Sequence, residues 1–434
     1  MQRQALAFGI AFLALTAGCG SGDEAGGSGG VTPGQGTTHV VLAWNDLGMH
    51  CLNPTYDQAV VLPPYNNIWA QVIERGNPPR IVTAGVTVEY AIVGNTYSYG
   101  KASFGQFWDN AQALFSAAPA HDYGLNLVDP SLSNGLSGTM VAAGGDHFEV
   151  DGVPLVPIDD SGQWNPYQVA EITVRSASGT VLGKVRATVP TSDELDCAKC
   201  HGPGSFADVL AKHDAAHGTA LATQKPVLCA KCHASPALGQ LTRIGGVPFL
   251  SEAVHSFHAG VQSPPACYDC HPGAKTQCSR SLAHTAPDGN CTSCHGPLAE
   301  VGGSIGNGAR VPWVGEPACA DCHAGVAEVA TGATLYRNAR GHGGVRCAGC
   351  HGSPHAMVPT RVASDHAQSL QYQGAAKSLG SCGACHDSSR GRGSAEFGEE
   401  HGGAGETPSA CNVCHTAVSA ATASWPHAFQ WKAR

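Results

Sequence analysis

Two cysteines three positions apart, with a histidine immediately after the second, occur eight times in this chain. The sets are Cys197/Cys200/His201, Cys229/Cys232/His233, Cys267/Cys270/His271, Cys291/Cys294/His295, Cys319/Cys322/His323, Cys347/Cys350/His351, Cys382/Cys385/His386 and Cys411/Cys414/His415. Thiols at this spacing reach the two vinyl groups on one edge of a porphyrin, and the next imidazole then lies beneath the ring, where it ligates iron. A cysteine pair alone would also fit zinc or a dithiol redox centre. A zinc array, however, draws its ligands from partner pairs and has no need of His after every second cysteine. A thioredoxin-like centre would occur once, at a strand–helix junction. The repetition predicts eight covalently attached c-type haems.

A haem used only to carry electrons needs a sixth iron ligand that keeps small molecules away. The chain has four Met, and only Met357 lies in the motif-bearing half. Outside the motifs that half holds His213, His217, His255, His258, His284, His342, His355, His366, His401 and His427, ten candidates for eight positions. His217, His255, His366 and His401 lie upstream of the motifs that begin at Cys229, Cys267, Cys382 and Cys411. His355, in CHGSPHA, follows its own motif histidine too closely to wrap round the same ring and is expected to reach a neighbouring iron. His213/His217 and His255/His258 are spaced i,i+4 and i,i+3, so one of each pair is expected to be spare. The surplus predicts bis-histidine ligation throughout, low potentials and no open iron. His39 and His50 are outlying alternatives, and the competing reading of every distal candidate is a surface or propionate-bonding residue.

Two cysteines outside the motifs, Cys51 and Cys278, would either bridge or remain buried free thiols. In IDDSGQWNPY, residues 158–167, carboxylates gather in a turn. A solvated loop is the expected reading, with calcium as the alternative.

The elements that must position these groups fall into unlike halves. From His39 to about Pro190, HVVLAWN, NIWAQVIE, VTVEYAIV, YQVAEITVRS and TVLGKVRATV have strand length, with alternating or β-branched composition and Gly, Pro and Asn between them. EITVRSASGTVLGKVRATV reads as a hairpin turning at Ala177-Ser-Gly179. The expectation is an all-β, sandwich-like domain over 39–190. Residues 191–434 read as an octahaem cytochrome domain, irregular and short-helical, with Gly, Ala, Pro and Ser between the cysteine pairs. Aromatics are 6% of the chain against 56 Gly, so apolar side chains are too few to fill that half, and haem is expected to form its core.

The N-terminus has a basic residue, a short apolar run over 5–17 and small residues before Cys19, which reads as a signal peptide over 1–19 ending in a lipobox-like Cys19. The apolar run is too short to span a bilayer. Acylation of Cys19 would anchor the protein to a membrane. Residues 20–38 are Gly/Ser-rich and read as a flexible tether. A formal charge of −9 argues against a nucleic-acid partner.

The eight CxxCH sets, the lipobox-like Cys19 and the elements CHGSPHA and CHPGAKTQC together resemble the outer-surface multihaem cytochromes of metal-reducing bacteria. WNDLGMHC, LPPYN and WNPYQ resemble a β domain that precedes such haem arrays. This resemblance implies an outer-membrane lipoprotein on the periplasmic or cell-surface face, passing electrons to other cytochromes or to an extracellular acceptor. It also implies that a homo-oligomer or filament is open to it. The rival reading is a multihaem oxidoreductase of a small nitrogen or sulfur compound with one open iron. Such enzymes often mark that iron with an altered motif, and all eight motifs here keep His. The chain therefore reads as an electron carrier rather than a substrate-converting enzyme, with no catalytic residue assigned.

Overall fold

The computed structural model describes residues 37–273, 275–284, 291–317, 319 and 335–387. Thirteen strands are described: β1 His39–Trp44, β2 His50–Cys51, β3 Ala59–Val60, β4 Ile68–Glu74, β5 Arg80–Val82, β6 Val86–Ile92, β7 Ser137–Thr139, β8 Val141–Ala143, β9 His147–Val150, β10 Val169–Ser176, β11 Val181–Thr188, β12 Thr191–Ser192 and β13 Val227–Leu228. The α-helices are α1 Gln106–Phe115, α2 Ala198–His201, α3 Ser205–His217, α4 Leu250–Ala259, α5 Cys291–His295, α6 Leu298–Gly306, α7 Cys347–His351 and α8 Ala367–Gln373.

The β-rich N-terminal region is built on two sheets. One runs β1-β4-β9-β8 with β5 beside β4, and the other runs β11-β10-β6-β7. Period-2 side chains from both sheets meet in one core, including Val41, Ile68 and Val72 from the first and Val88, Ile172 and Val185 from the second. The expected hairpin is present: β10 and β11 pair antiparallel, and Gly179 at φ +82° donates its N–H to Ser176 O at 2.9 Å. Glycine is needed there because an L side chain resists positive φ.

The all-β expectation missed α1. Its QFWDNAQALF places Phe107, Trp108, Ala111 and Leu114 on one buried face, a helical period inside a region otherwise read at period 2. That face meets Leu52, Tyr56, Val60 and Phe104, and also Leu228 and Ala230 beside the Cys229 motif. The motif is tied to the same place by the parallel pairing of β13 with β3.

β1 is apolar at nearly every position because it is covered on both faces. Val41 and Ala43 point into the shared core. Val40, Leu42 and Trp44 pack outward with Tyr336, Ala348 and Cys347. β1 is also a sheet edge, and α8 caps it: the Tyr372 hydroxyl accepts from Val41 N–H and donates to Val41 O, both at 2.9 Å. Ala43 N–H donates to Gln368 Oε1 at 2.8 Å. Among the described residues no helix is long and apolar enough to cross a membrane.

Beyond residue 197 the buried apolar side chains are few and small among the described residues: Leu210, Leu228, Ile305 and Tyr336, then alanines 230, 234, 339, 348, 356 and 384. By contrast Phe257, Leu241, Leu282 and Val314 are exposed in the same half.

Candidate functional site

Each CxxCH set that is described throughout folds as a single helical turn. In four of them the histidine N–H closes the turn onto the first cysteine: His201 onto Cys197 O at 2.9 Å, His233 onto Cys229 O at 3.0 Å, His271 onto Cys267 O at 2.9 Å and His386 onto Cys382 O at 2.9 Å. Cys291–His295 and Cys347–His351 are short α-helices. A turn of this kind puts positions i, i+3 and i+4 on one face, so both thiols and the imidazole face the same way. Burial pushes the Cys229, Cys270 and Cys347 thiols up to about 11, and those of Cys350 and Cys385 up to about 12. A dithiol redox centre needs the opposite, a lowered thiol.

The second cysteines of the sets are not sheltered alike. Cys200, Cys232 and Cys294 are exposed, whereas Cys270, Cys350 and Cys385 are half-buried. Cys347 and Cys385 pack among the side chains on the outer face of β1, and that strand shelters them. Cys200, Cys232 and Cys294 belong to none of the apolar clusters among the described residues, so the polypeptide leaves these thiols at the surface. A thioether forms at an accessible sulfur, and a ring attached there would itself cover the thiol edge.

Five motif histidines each face a second imidazole. The ring centroids are 6.4 Å apart for His201 and His258, 6.3 Å for His233 and His213, and 6.0 Å for His271 and His255. They are 6.1 Å apart for His295 and His355, and 6.0 Å for His386 and His342. A bond from metal to imidazole nitrogen is about 2 Å, and that nitrogen lies about 1 Å from the ring centre, so two imidazoles across one iron have centroids roughly 6 Å apart. His217 lies 4.8 Å from His213, closer than such a pair, and no motif histidine is described facing it.

The Nδ1 contacts fix the tautomers. His255 donates to Ser251 O at 2.6 Å and His258 to Val254 O at 2.8 Å, each one turn back along α4. His233 donates to Pro248 O at 3.0 Å, and His355 to Leu47 O at 3.4 Å. His201 Nδ1 meets Asp208 Oδ2 at 2.6 Å. These oxygens are acceptors, so Nδ1 carries a proton, and in the neutral ring it is Nε2 that offers a lone pair to a metal. Nδ1 of His213 meets Thr219 Oγ1 at 3.0 Å, and Nδ1 of His351 meets Ser378 Oγ at 3.1 Å. Burial lowers the His271, His295 and His386 imidazoles to about 4 and also lowers those of His213 and His355, which favours the neutral, ligating form.

Other candidates sit elsewhere. His366 uses Nε2 to accept the Thr360 N–H at 2.9 Å, and the ring facing His386 is that of His342. His50 gives its Nε2 to Asp46 Oδ1 at 2.9 Å. His39 Nδ1 bonds Thr38 Oγ1 at 2.7 Å. His284 lies in a turn following the Ser281–Thr360 bridge. Cys319 packs with the outer side chains of β1. Cys322, His323, His401, Cys411, Cys414, His415 and His427 lie outside the described residues, as do Cys19 and the whole of 1–36.

The 158–167 loop uses its carboxylates within the fold. Asp159 Oδ1 accepts Ser161 N–H at 2.9 Å and Gln163 N–H at 3.1 Å, and Asp160 pairs with Lys101 at 2.7 Å.

The β-rich region holds the site together. In the WNDLGMHC loop Asn45 N–H donates to Ser353 Oγ at 3.2 Å and Leu47 O receives His355. Gly48, at φ +81°, runs so close to Pro354 that an added Cβ would fall 1.7 Å from its carbonyl oxygen. Arg280, 1% exposed, joins Asp365 at 2.9 and 3.0 Å and also bonds Gly48 O. Arg346, directly before Cys347, binds Asp146 at 3.0 Å and lies 4.9 Å over the Trp69 ring. Burial alone would raise the Asp146 carboxyl, but hydrogen bonds from Arg340, Arg346 and His147 outweigh it and hold it well below the usual range.

Paired imidazoles, aligned thiols and apolar residues left at the surface beside them fit a flat, apolar, iron-bearing ring. On α4, Val254 and Phe257 are 43% and 67% exposed and flank His255 and His258, where a porphyrin would cover them.

Residues 309–352 match the family model described as Cytochrome c554 and c-prime. That stretch contains the Cys319/Cys322/His323 and Cys347/Cys350/His351 sets. No curated protein matches the chain. Among solved structures, MtrC from Shewanella baltica OS185 is similar at 13% identity over 62% of this chain, with a TM-score of 0.16. The chain spans 45% of that protein's length. The family match supports a c-type cytochrome that carries covalently bound haem and works in electron transport.

Proposed function

We propose that this protein is a multihaem cytochrome that carries electrons along eight covalently bound, bis-histidine haems in periplasmic or extracellular respiration. The observation that carries the reading is the set of five motif histidines, each facing a second imidazole at 6.0–6.4 Å. Covalent haem supplies a one-electron ferric–ferrous couple. The protein's own residues fix its surroundings. The cysteine pairs and motif histidines would hold the haems, and His258, His213, His255, His355 and His342 would supply the second imidazole at five of them. Carbonyl and carboxylate acceptors at Nδ1 orient the imidazoles and set their basicity. On this reading the β-rich domain over 39–190 is a mould that holds the octahaem domain over 191–434 in register. A lipid on Cys19 anchors the protein to the outer membrane, and its partners are other cytochromes or an extracellular electron acceptor.

The test combines intact mass with ligand replacement. The mature holoprotein should carry the mass of eight haems. His255→Ala should convert one haem from low spin to high spin in the oxidised spectrum, whereas His366→Ala should leave every haem low spin. A haem count below eight, or the same low-spin spectrum in both variants, would overturn the reading.

A further inference from the structure

We propose that Cys51 and Cys278 are joined by a disulfide that staples the WNDLGMHC loop to the segment following the Cys267/Cys270/His271 motif. Of the 19 cysteines, sixteen belong to CxxCH sets and Cys19 is the proposed lipid-bearing residue. The remaining two, far apart in sequence, are free thiols in this structure, and their side chains interact with one another. Sulfurs on neighbouring side chains need only close to a bond of about 2 Å.

The backbone on both sides of the pair is already fixed. β2, which contains Cys51, pairs in parallel with β12, and Leu52 N–H donates to Ser192 O at 3.1 Å. Ser192 Oγ meets Thr276 Oγ1 at 3.1 Å. Glu194 accepts the N–H groups of Lys275 and Thr276, both at 2.7 Å. Cys278 N–H donates to Pro272 O at 3.1 Å, and two residues on Arg280 makes its buried contacts with Asp365 and Gly48. The neighbouring Cys51 sulfur, and then burial, raise the Cys278 thiol well above its ordinary value.

The chemistry is thiol–disulfide exchange with a disulfide-bearing oxidant of the exported compartment. The first thiolate attacks the oxidant's S–S bond and forms a mixed disulfide, and the second displaces the oxidant's remaining sulfur. One S–S bond forms in this chain and one breaks in the oxidant, which leaves with the two electrons and two protons as a dithiol. The bridge does not depend on the ligation state of any haem. Its product would fix the position of Arg280, whose N–H donates to His355 O at 2.7 Å, and so the backbone that carries His355.

The test uses the full holoprotein exported and purified without reductant, denatured in the presence of a maleimide, digested and mapped. The expected result is a cross-linked peptide pair containing Cys51 and Cys278, with no label on either. After reduction each should take one label. Cys51→Ser should leave Cys278 labelled without any reductant. Two labelled thiols in the native chain, or either cysteine linked to a different partner, would overturn the bridge while leaving the haem assignment intact.

Discussion

An imidazole that gives its Nδ1–H to an oxygen presents its other nitrogen with raised basicity, and the strength of that effect depends on the oxygen. His233, His255, His258 and His355 donate to neutral carbonyls, whereas His201 meets the Asp208 carboxylate at 2.6 Å. Hydrogen bonds from Lys212 and then His201 hold Asp208 below its usual range, so it stays charged. The haem on Cys197 and Cys200 should therefore favour the ferric state more than its neighbours. Asp208→Asn is expected to move one component of a potentiometric titration to higher potential and leave the rest in place. A titration curve superimposable on that of the parent protein would remove Asp208 from the tuning of that haem. At this scale the covalent half of the site was legible, because CxxCH confines its chemistry to five consecutive residues. The exposure of Cys200, Cys232 and Cys294 was not, because the motif is the same whether or not a sheet packs against it. The distal partners were legible only in part: His255, upstream of the Cys267 motif, faces His271, and His355 faces His295 of another motif, but the rest are set by packing between segments. His255 and His258 at i,i+3 suggested one spare, yet each ring faces a different motif histidine, His271 and His201. No local spacing marks that division.

Strand and loop elements show why the β-rich region is more than a spacer. β1 presents Val41 and Ala43 to the sheet core and Val40, Leu42 and Trp44 to the cysteine-bearing segments. Its run HVVLAW already signalled burial on both faces, since a one-sided strand would alternate. Helix α1 was equally readable in Phe107, Trp108, Ala111 and Leu114 but was overshadowed by strands on either side. The loop after β9 gives a measurable property of this region. Burial, then the carboxylates of Glu149 and Asp46, push Asp151 up to about 7, with His147 opposing them and Tyr65 close by. The unfolded value is about 4, so the folded chain keeps a proton that the unfolded chain releases. The contribution of this group to stability is full below about pH 4 and is lost as pH rises to about 7, by at most about 4 kcal/mol. Denaturant unfolding at intervals across that window should show Asp151→Asn with a flatter pH dependence than the parent. An identical slope in both proteins would mean that Asp151 ionises freely in the fold.

For the whole molecule, the apolar interior is divided unequally. The β-rich region has a continuous core of large aliphatic and aromatic residues, while past residue 197 the described interior is mostly alanine. Burial of large apolar area drives folding, so on the proposed reading haem would serve as core material for the second part. Full-length chain made without haem attachment should lose residues 197–434 to limited proteolysis while 39–190 resists. A protease-resistant apo form of the motif-bearing half would contradict this. The scarcity of large apolar side chains was legible in the composition, which has 56 Gly and 6% aromatics. What composition could not give is the way Arg280, Arg346, Gln368 and Tyr372 pin that half to the sheets, because each contact joins residues far apart in sequence. The central claim is that the irons are closed on both sides by histidine and that electrons pass without a substrate at iron. Its most direct test is the absorption spectrum of the reduced holoprotein before and after carbon monoxide. The account predicts no change, and a stoichiometric high-spin haem that binds carbon monoxide would contradict it.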